Sequence, residues 1–198
     1  MSDRRVGLLR HGITRRSGCF CGSSDPELSA AGWAQMEEAI SGYRWDLMVS
    51  SPFARCREFA TAASRSRHVP LVLDARLSEM AFGDWEGLEP SWIWERDSGA
   101  LSRFWEDPSR HPPPRAEPFA QFLDRVQSAW RSVVSRSEQR ILVVSHGGPI
   151  RLIRACVEGR RPERLLEIDV PCGSLHWIEC CVGPTGRVNV TTDRGDSP

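Results

Sequence analysis

Short apolar runs alternate along this chain with longer stretches in which apolar residues recur at helical spacing. The runs from Val6 to Leu9, Leu47 to Val49, Val69 to Leu73 and Ile141 to Val144 carry no polar alternation, which predicts strands buried on both faces. Leu28 to Tyr43 predicts a helix capped by Ser29, and Phe53 to Arg65 a second one opening after Ser50-Ser51-Pro52. Phe119 to Val134 places Phe119, Phe122, Leu123, Val126 and Trp130 on one helical face, and Ile150 to Val157 continues from the fourth strand. Ser174 to Cys180 and Arg187 to Thr192 alternate like half-exposed strands added at a sheet edge. Strands alternating with helices predict an α/β fold of three layers. At 198 residues the chain is expected to be a single domain spanning residues 1–198.

One stretch, about residues 85–117, breaks the alternation. It holds Trp85, Trp92, Trp94 and Trp105, then Pro108 and His111-Pro112-Pro113-Pro114. It reads as an inserted lid rather than a second folding unit. The tail, residues 193–198, is expected to be disordered.

Composition narrows the chemistry. The chain has 26 basic and 26 acidic residues, so nothing in its net charge favours nucleic acid or an acidic membrane surface. Every basic residue is arginine. The absence of lysine excludes a P-loop, a Schiff-base enzyme on pyridoxal phosphate and any lysine-dependent kinase. An anion bound by cationic side chains must meet guanidinium or imidazole, and guanidinium can grip a phosphate with two parallel hydrogen bonds. The seven cysteines show no zinc-ligand spacing. They read as reduced thiols, and with no leader-like or membrane-length apolar run the expected location is the cytoplasm. No metal and no cofactor are expected.

The polar residues that could do chemistry sit where strands end. The first strand runs into Arg10-His11-Gly12 and the second into Ser50-Ser51-Pro52, with Arg55 one turn on. The third is followed by Leu77-Ser78-Glu79 and the fourth by Ser145-His146-Gly147-Gly148. Carboxyl ends of strands in an open α/β sheet share one edge, so these residues are expected to meet in one crevice. Two histidines, two arginines and a carboxylate suit cleavage of a small-molecule phosphomonoester. Arg10, Arg55 and His146 would clamp the phosphoryl group, His11 would attack it, and Glu79 would protonate the leaving oxygen and then activate water. Each residue alone has a plain structural reading; their common placement after strands is what argues for chemistry.

The same blocks carry a family resemblance. Leu9-Arg10-His11-Gly12, Ser51-Pro52-Phe53-Ala54-Arg55, Glu79 with Phe82-Gly83-Asp84-Trp85-Glu86-Gly87, and Ser145-His146-Gly147-Gly148 resemble the histidine phosphatase superfamily, the phosphoglycerate mutase-like proteins. The resemblance implies a mixed, mostly parallel sheet between helices, a phosphohistidine intermediate on His11, and Gly147 beside His146 at the phosphate.

Within the superfamily the chain is most similar to α-ribazole phosphatases of cobalamin biosynthesis. That similarity rests on Gly18-Cys19-Phe20-Cys21-Gly22-Ser23-Ser24-Asp25, Gly32-Trp33-Ala34-Gln35-Met36 and Arg103-Phe104-Trp105-Glu106-Asp107-Pro108 with Glu117. It implies substrate contacts from Ser17, Cys21 and Arg103. Ile13 and Ser17 stand where the family often has Glu and Asn, which leaves open a broad-range phosphatase or a catalytically silent phosphate-binding module. The tryptophans of the lid could stack on a flat base, or Trp85 and Trp105 could simply pack the insertion down. The oligomeric state stays open, a homodimer being one option.

Overall fold

The computed structural model describes residues 3–182 and 188–192; the tail from residue 193 and Arg187 lie outside them. Strands β1 (Asp3–Arg10), β2 (Leu47–Ser50), β3 (Leu71–Leu73), β4 (Arg140–Ser145), β5 (Leu175–Val182) and β6 (Val188–Thr192) form one sheet ordered β3-β2-β4-β1-β5-β6. The first four run parallel, whereas β5 is antiparallel to β1 and β6 to β5. The fold is therefore α/β with a mixed, mostly parallel sheet, as expected.

Alternation along the central strands divides the core in two. Val6, Leu8, Ile141 and Val143 face one side, against Phe122, Val126 and Trp130 of α4 (Phe119–Val134) and Ile150 and Ile153 of α5 (Gly147–Val157). Leu9, Leu142 and Val144 face the other, against Met36 of α1 (Ala30–Ala39) and Phe59, Ala60 and Ala63 of α2 (Ala54–Arg67). Helices on both faces explain why β1 and β4 read as unbroken apolar runs.

Element ends follow local chemistry. Ser29 caps α1, its side chain accepting from the Gly32 amide, but the helix stops at Ala39, short of Tyr43, as the chain turns through Gly42 at φ +79°. Helix α2 runs past Arg65 to Arg67 and closes on His68 in the left-handed conformation. Strand β3 starts at Leu71 rather than Val69, since Pro70 has no N–H to give the ladder.

Residues 85–117 are more ordered than the sequence pattern implies. They contain α3 (Pro90–Glu106), bent at Asp97, whose carboxylate accepts from the Ala100 amide and so caps the second half of the helix from within. Trp85, Ile93, Leu101 and Phe104 join the core beneath α4. Trp92, Trp94 and Trp105 stay 43–51% exposed, so Trp105 does not pack the segment down as Trp85 does. Among the described residues no helix is long and apolar enough to cross a membrane.

Leaving β1 the chain passes to the α1 face; leaving β4 it passes to the α5 face. Neighbouring strands whose exits diverge open a crevice at their carboxyl ends, and the candidate site lies there.

Candidate active site

His11 directly follows β1. Gly12 behind it lies so close to α1 that a Cβ would sit 2.1 Å from the Gly32 carbonyl oxygen, so only glycine lets the chain turn here. The imidazole Nδ1 is 2.9 Å from the Gly12 carbonyl oxygen. A carbonyl can only accept, so Nδ1 carries the hydrogen and Nε2 the lone pair. Burial, then the charges of Arg10 and Arg55, pull the His11 pKa from 6.5 down to about 3. The ring is therefore neutral at physiological pH, as a nitrogen nucleophile must be.

The His146 ring stands edge-on to His11 at 5.3 Å but is fully buried behind it. Arg55 Nε donates to its Nδ1 at 3.1 Å, and its Nε2 meets Ser51 Oγ at 2.8 Å. Because guanidinium only donates, His146 is neutral with its hydrogen on Nε2. Burial, then the Arg55 charge, hold it well below the usual histidine range. His146 thus orients Arg55, and both its nitrogens are engaged.

Arg55, on the first turn of α2, is 1% exposed. Besides the bond to His146, Nη1 donates to the Ser24 carbonyl (2.7 Å) and Asp25 Oδ1 (3.2 Å). Nη2 donates to the carbonyls of Cys21 (3.0 Å) and Gly22 (3.2 Å). The same segment is gripped from its amide side by Glu86. That carboxylate accepts from the Gly22, Ser23 and Ser24 amides at 2.8–3.2 Å, from Ser24 Oγ at 2.8 Å, and from the Phe82 amide at 2.8 Å. Burial pushes the Glu86 pKa up, but these bonds outweigh it and hold the carboxyl below its ordinary value.

Glu79 is fixed at the start of α5. It accepts from the Gly148 amide at 3.1 and 3.2 Å and packs onto Gly148 where a Cβ would come within 2.2 Å of its Oε1. Its backbone is fixed from α4. Arg125 donates to the carbonyls of Arg76, Ser78 and Glu79 at 2.7–3.0 Å and forms a two-pronged pair with Glu117 at 2.6 and 2.7 Å.

These groups border a cavity of about 370 Å³. Its lining includes the polar side chains of Arg10, His11, Arg55, Glu79 and Arg151 and the aromatic ones of Phe20, Phe82, Phe104, Trp105, Phe119 and Phe122. Of the residues expected from sequence, Arg10, His11, Arg55, Glu79, Ser17 and Cys21 meet at this wall. Three do not. His146 and Gly147 stand behind it, with Gly148 at the surface instead, and Arg103 lies back along α3 over Gly99. Sequence reasoning missed Arg151, one helical turn after Gly147, and Glu86 as the anchor of residues 22–24. Cys181 and Arg187 share the spacing of a cysteine-dependent phosphatase, yet β5 pairs Cys181 with Asp3, at the end of β1 remote from His11. Among the described residues no cluster of three or more His, Cys, Asp or Glu is placed to hold a metal ion.

Residues 6–188 match the family model of the histidine phosphatase superfamily (branch 1). The chain belongs to the histidine phosphatase superfamily. This phosphatase is 30% identical over 184 residues to the adenosylcobalamin/alpha-ribazole phosphatase of Escherichia coli K12, covering 88% of this chain and 89% of that one. It is 28% identical over 172 residues, 80% and 76% of the two chains, to a glucosyl-3-phosphoglycerate phosphatase of Mycolicibacterium vanbaalenii. Among solved structures, the alpha-ribazole phosphatase of Shigella flexneri superposes with a TM-score of 0.78 at 27% identity, over 96% of this chain and 94% of that one. A longer bifunctional protein of Mycobacterium tuberculosis is 37% identical over 157 residues, of which this phosphatase spans 43%.

Proposed function

We propose that this phosphatase cleaves phosphomonoesters through a phosphohistidine on His11 and that its substrate is α-ribazole 5′-phosphate. The observation that carries the mechanism is the fixed tautomer of His11, with Nδ1–H held by the Gly12 carbonyl and Nε2 left as the attacking atom. In the first step Nε2 bonds to phosphorus, the ester P–O bond breaks, and Glu79 gives its proton to the departing alkoxide. In the second, water attacks the phosphohistidine, its proton returns to Glu79, and inorganic phosphate leaves with His11 neutral again. Arg10 and Arg55 offset the charge on the transferred group.

The substrate reading is supported by a lining that joins cationic groups around His11 to several aromatic rings, among them Phe20, Phe82, Phe104 and Trp105. A ribose phosphate bearing a benzimidazole suits that combination. Two relatives act by name on an alpha-ribazole and a glucosyl-phosphoglycerate ester, which favours a broad range of esters as the second reading.

A phosphomonoester panel that includes α-ribazole phosphate tests both. The expected result is kcat/KM for α-ribazole phosphate at least tenfold above every other ester, and unchanged with a chelator present. Equal rates across the panel support the broad-range reading. No turnover of any ester by the wild-type protein overturns both and leaves a silent phosphate-binding module. His11→Ala should be folded and inactive; retention of wild-type rates would remove His11 from the mechanism.

A further inference from the structure

The hydrogen-bond donors around His11 assign a further residue to the phosphate, on the reading just proposed. A phosphoryl group needs several donors, and two of the three residues expected to clamp it, Arg55 and His146, are already engaged. All five N–H groups of Arg55 go to His146, Asp25 and three backbone carbonyls. His146 has both nitrogens taken.

Two other guanidiniums retain donors. Arg10 gives Nη1 to the Val170 carbonyl at 2.6 Å, while its Nε is buried without a partner among the described residues. Arg151 gives only Nε away, to the Ile168 carbonyl at 2.8 Å, and neither Nη makes a hydrogen bond among the described residues. Between these two tethers the Asp169 carbonyl takes Arg154 at 3.0 Å. Three consecutive carbonyls of residues 168–170 thus hold three arginines in fixed positions.

Gly147 explains how Arg10 and Arg151 can share the site. A Cβ there would lie 2.6 Å from Arg151 Nη1 and 3.5 Å from Arg10 Nε. The two like-charged groups border the same point, and with no carboxylate among the described residues in salt-bridge contact with either, an anion between them gains from both. We propose that Arg151 binds the phosphoryl group of the substrate directly, its two Nη groups acting beside Arg10.

The test is the affinity of inorganic phosphate and orthovanadate for wild type, Arg151→Met, Arg151→Lys and Gly147→Ala, by calorimetry and by inhibition. Arg151→Met should bind both at least tenfold more weakly, the scale of a lost hydrogen bond to a charged group, with kcat/KM falling by a similar factor and a melting curve lowered only by loss of the bond to the Ile168 carbonyl. Arg151→Lys, which keeps the charge but not the fork, should fall between them. Gly147→Ala should displace the Arg151 tip and weaken both ligands in the same direction even if Arg151→Met folds poorly. Affinities within twofold of wild type in a folded Arg151→Met, or in Gly147→Ala, overturn the proposal. Should the wild type bind phosphate yet hydrolyse no ester, the phosphatase mechanism fails while Arg151 stands or falls on the phosphate data alone. Failure of the wild type to bind either anion sinks both.

Discussion

Two histidines that follow strands look alike in sequence and differ in the fold by what their nitrogens meet. His11 has one nitrogen pinned and one open, and His146 has neither open. Both are held neutral by burial first, and so is His176, whose pKa falls to about 4. In the unfolded chain these rings take up protons near pH 6.5; in the folded one His11 and His176 do so only near 3 and 4. Stability is therefore complete above pH 6.5 and drains away as the pH falls through the window between 6.5 and about 3–4. Urea midpoints should be flat from pH 8 to 7 and decline steadily below 6.5, and His11→Asn should flatten that decline. Glu79→Gln should slow hydrolysis of alkyl esters by ~10²–10⁴-fold and of p-nitrophenyl phosphate far less, because a good leaving group needs no proton. Equal losses on both would remove Glu79 as the acid. At this scale the position of Arg10, His11, Arg55 and Glu79 after strands was enough to expect them at one crevice, and all four line the cavity. The rearward place of His146 and the forward place of Arg151 depend on which way side chains turn around α5, and strand-end position says nothing about that.

Among the elements, the segment 21–25 has no regular structure and is nevertheless fixed, with its carbonyls on Arg55 and its amides on Glu86. Glu86→Ala leaves those amides without their acceptor and should cost about 1–3 kcal/mol in urea denaturation. Hydrogen exchange at Gly22, Ser23 and Ser24 should accelerate by a larger factor than exchange in β1 or β4. The central strands and α4 were legible from their apolar runs and period; β3, expected to be buried on both faces, is instead an edge strand with Val72 and Leu73 exposed. Helix α3 was not legible: its tryptophans lie partly in solvent, its buried residues are only Ile93, Leu101 and Phe104, and Asp97 interrupts the period halfway. Asp97-Ser98-Gly99 is a capping signature set inside a helix, which reads in sequence as a loop.

Taken whole, the molecule places its chemistry where the two halves of its core meet. The α1–α2 side contributes Arg55, and the α4–α5 side contributes Arg151 and, through Arg125, the setting of Glu79. The three-layer architecture was legible in the strand–helix alternation. The depth of the cavity was not, because its aromatic wall is assembled from Phe20, Phe82, Phe104 and Trp105 on separate segments. Trp105 is 47% exposed, so its removal should hardly alter stability. Trp105→Ala should raise KM for a base-bearing substrate several-fold, in line with stacking worth about 0.5–1.5 kcal/mol, and leave KM for a small alkyl phosphate unchanged. The full engagement of Arg55 has one more consequence. Any ligand that claims an Nη–H of Arg55 must take it from an oxygen of residues 21–25, so occupancy and the set of that segment are thermodynamically linked. Whatever tightens the segment's hold on Arg55 must loosen the ligand by the same factor, and the ligand must loosen the segment in return.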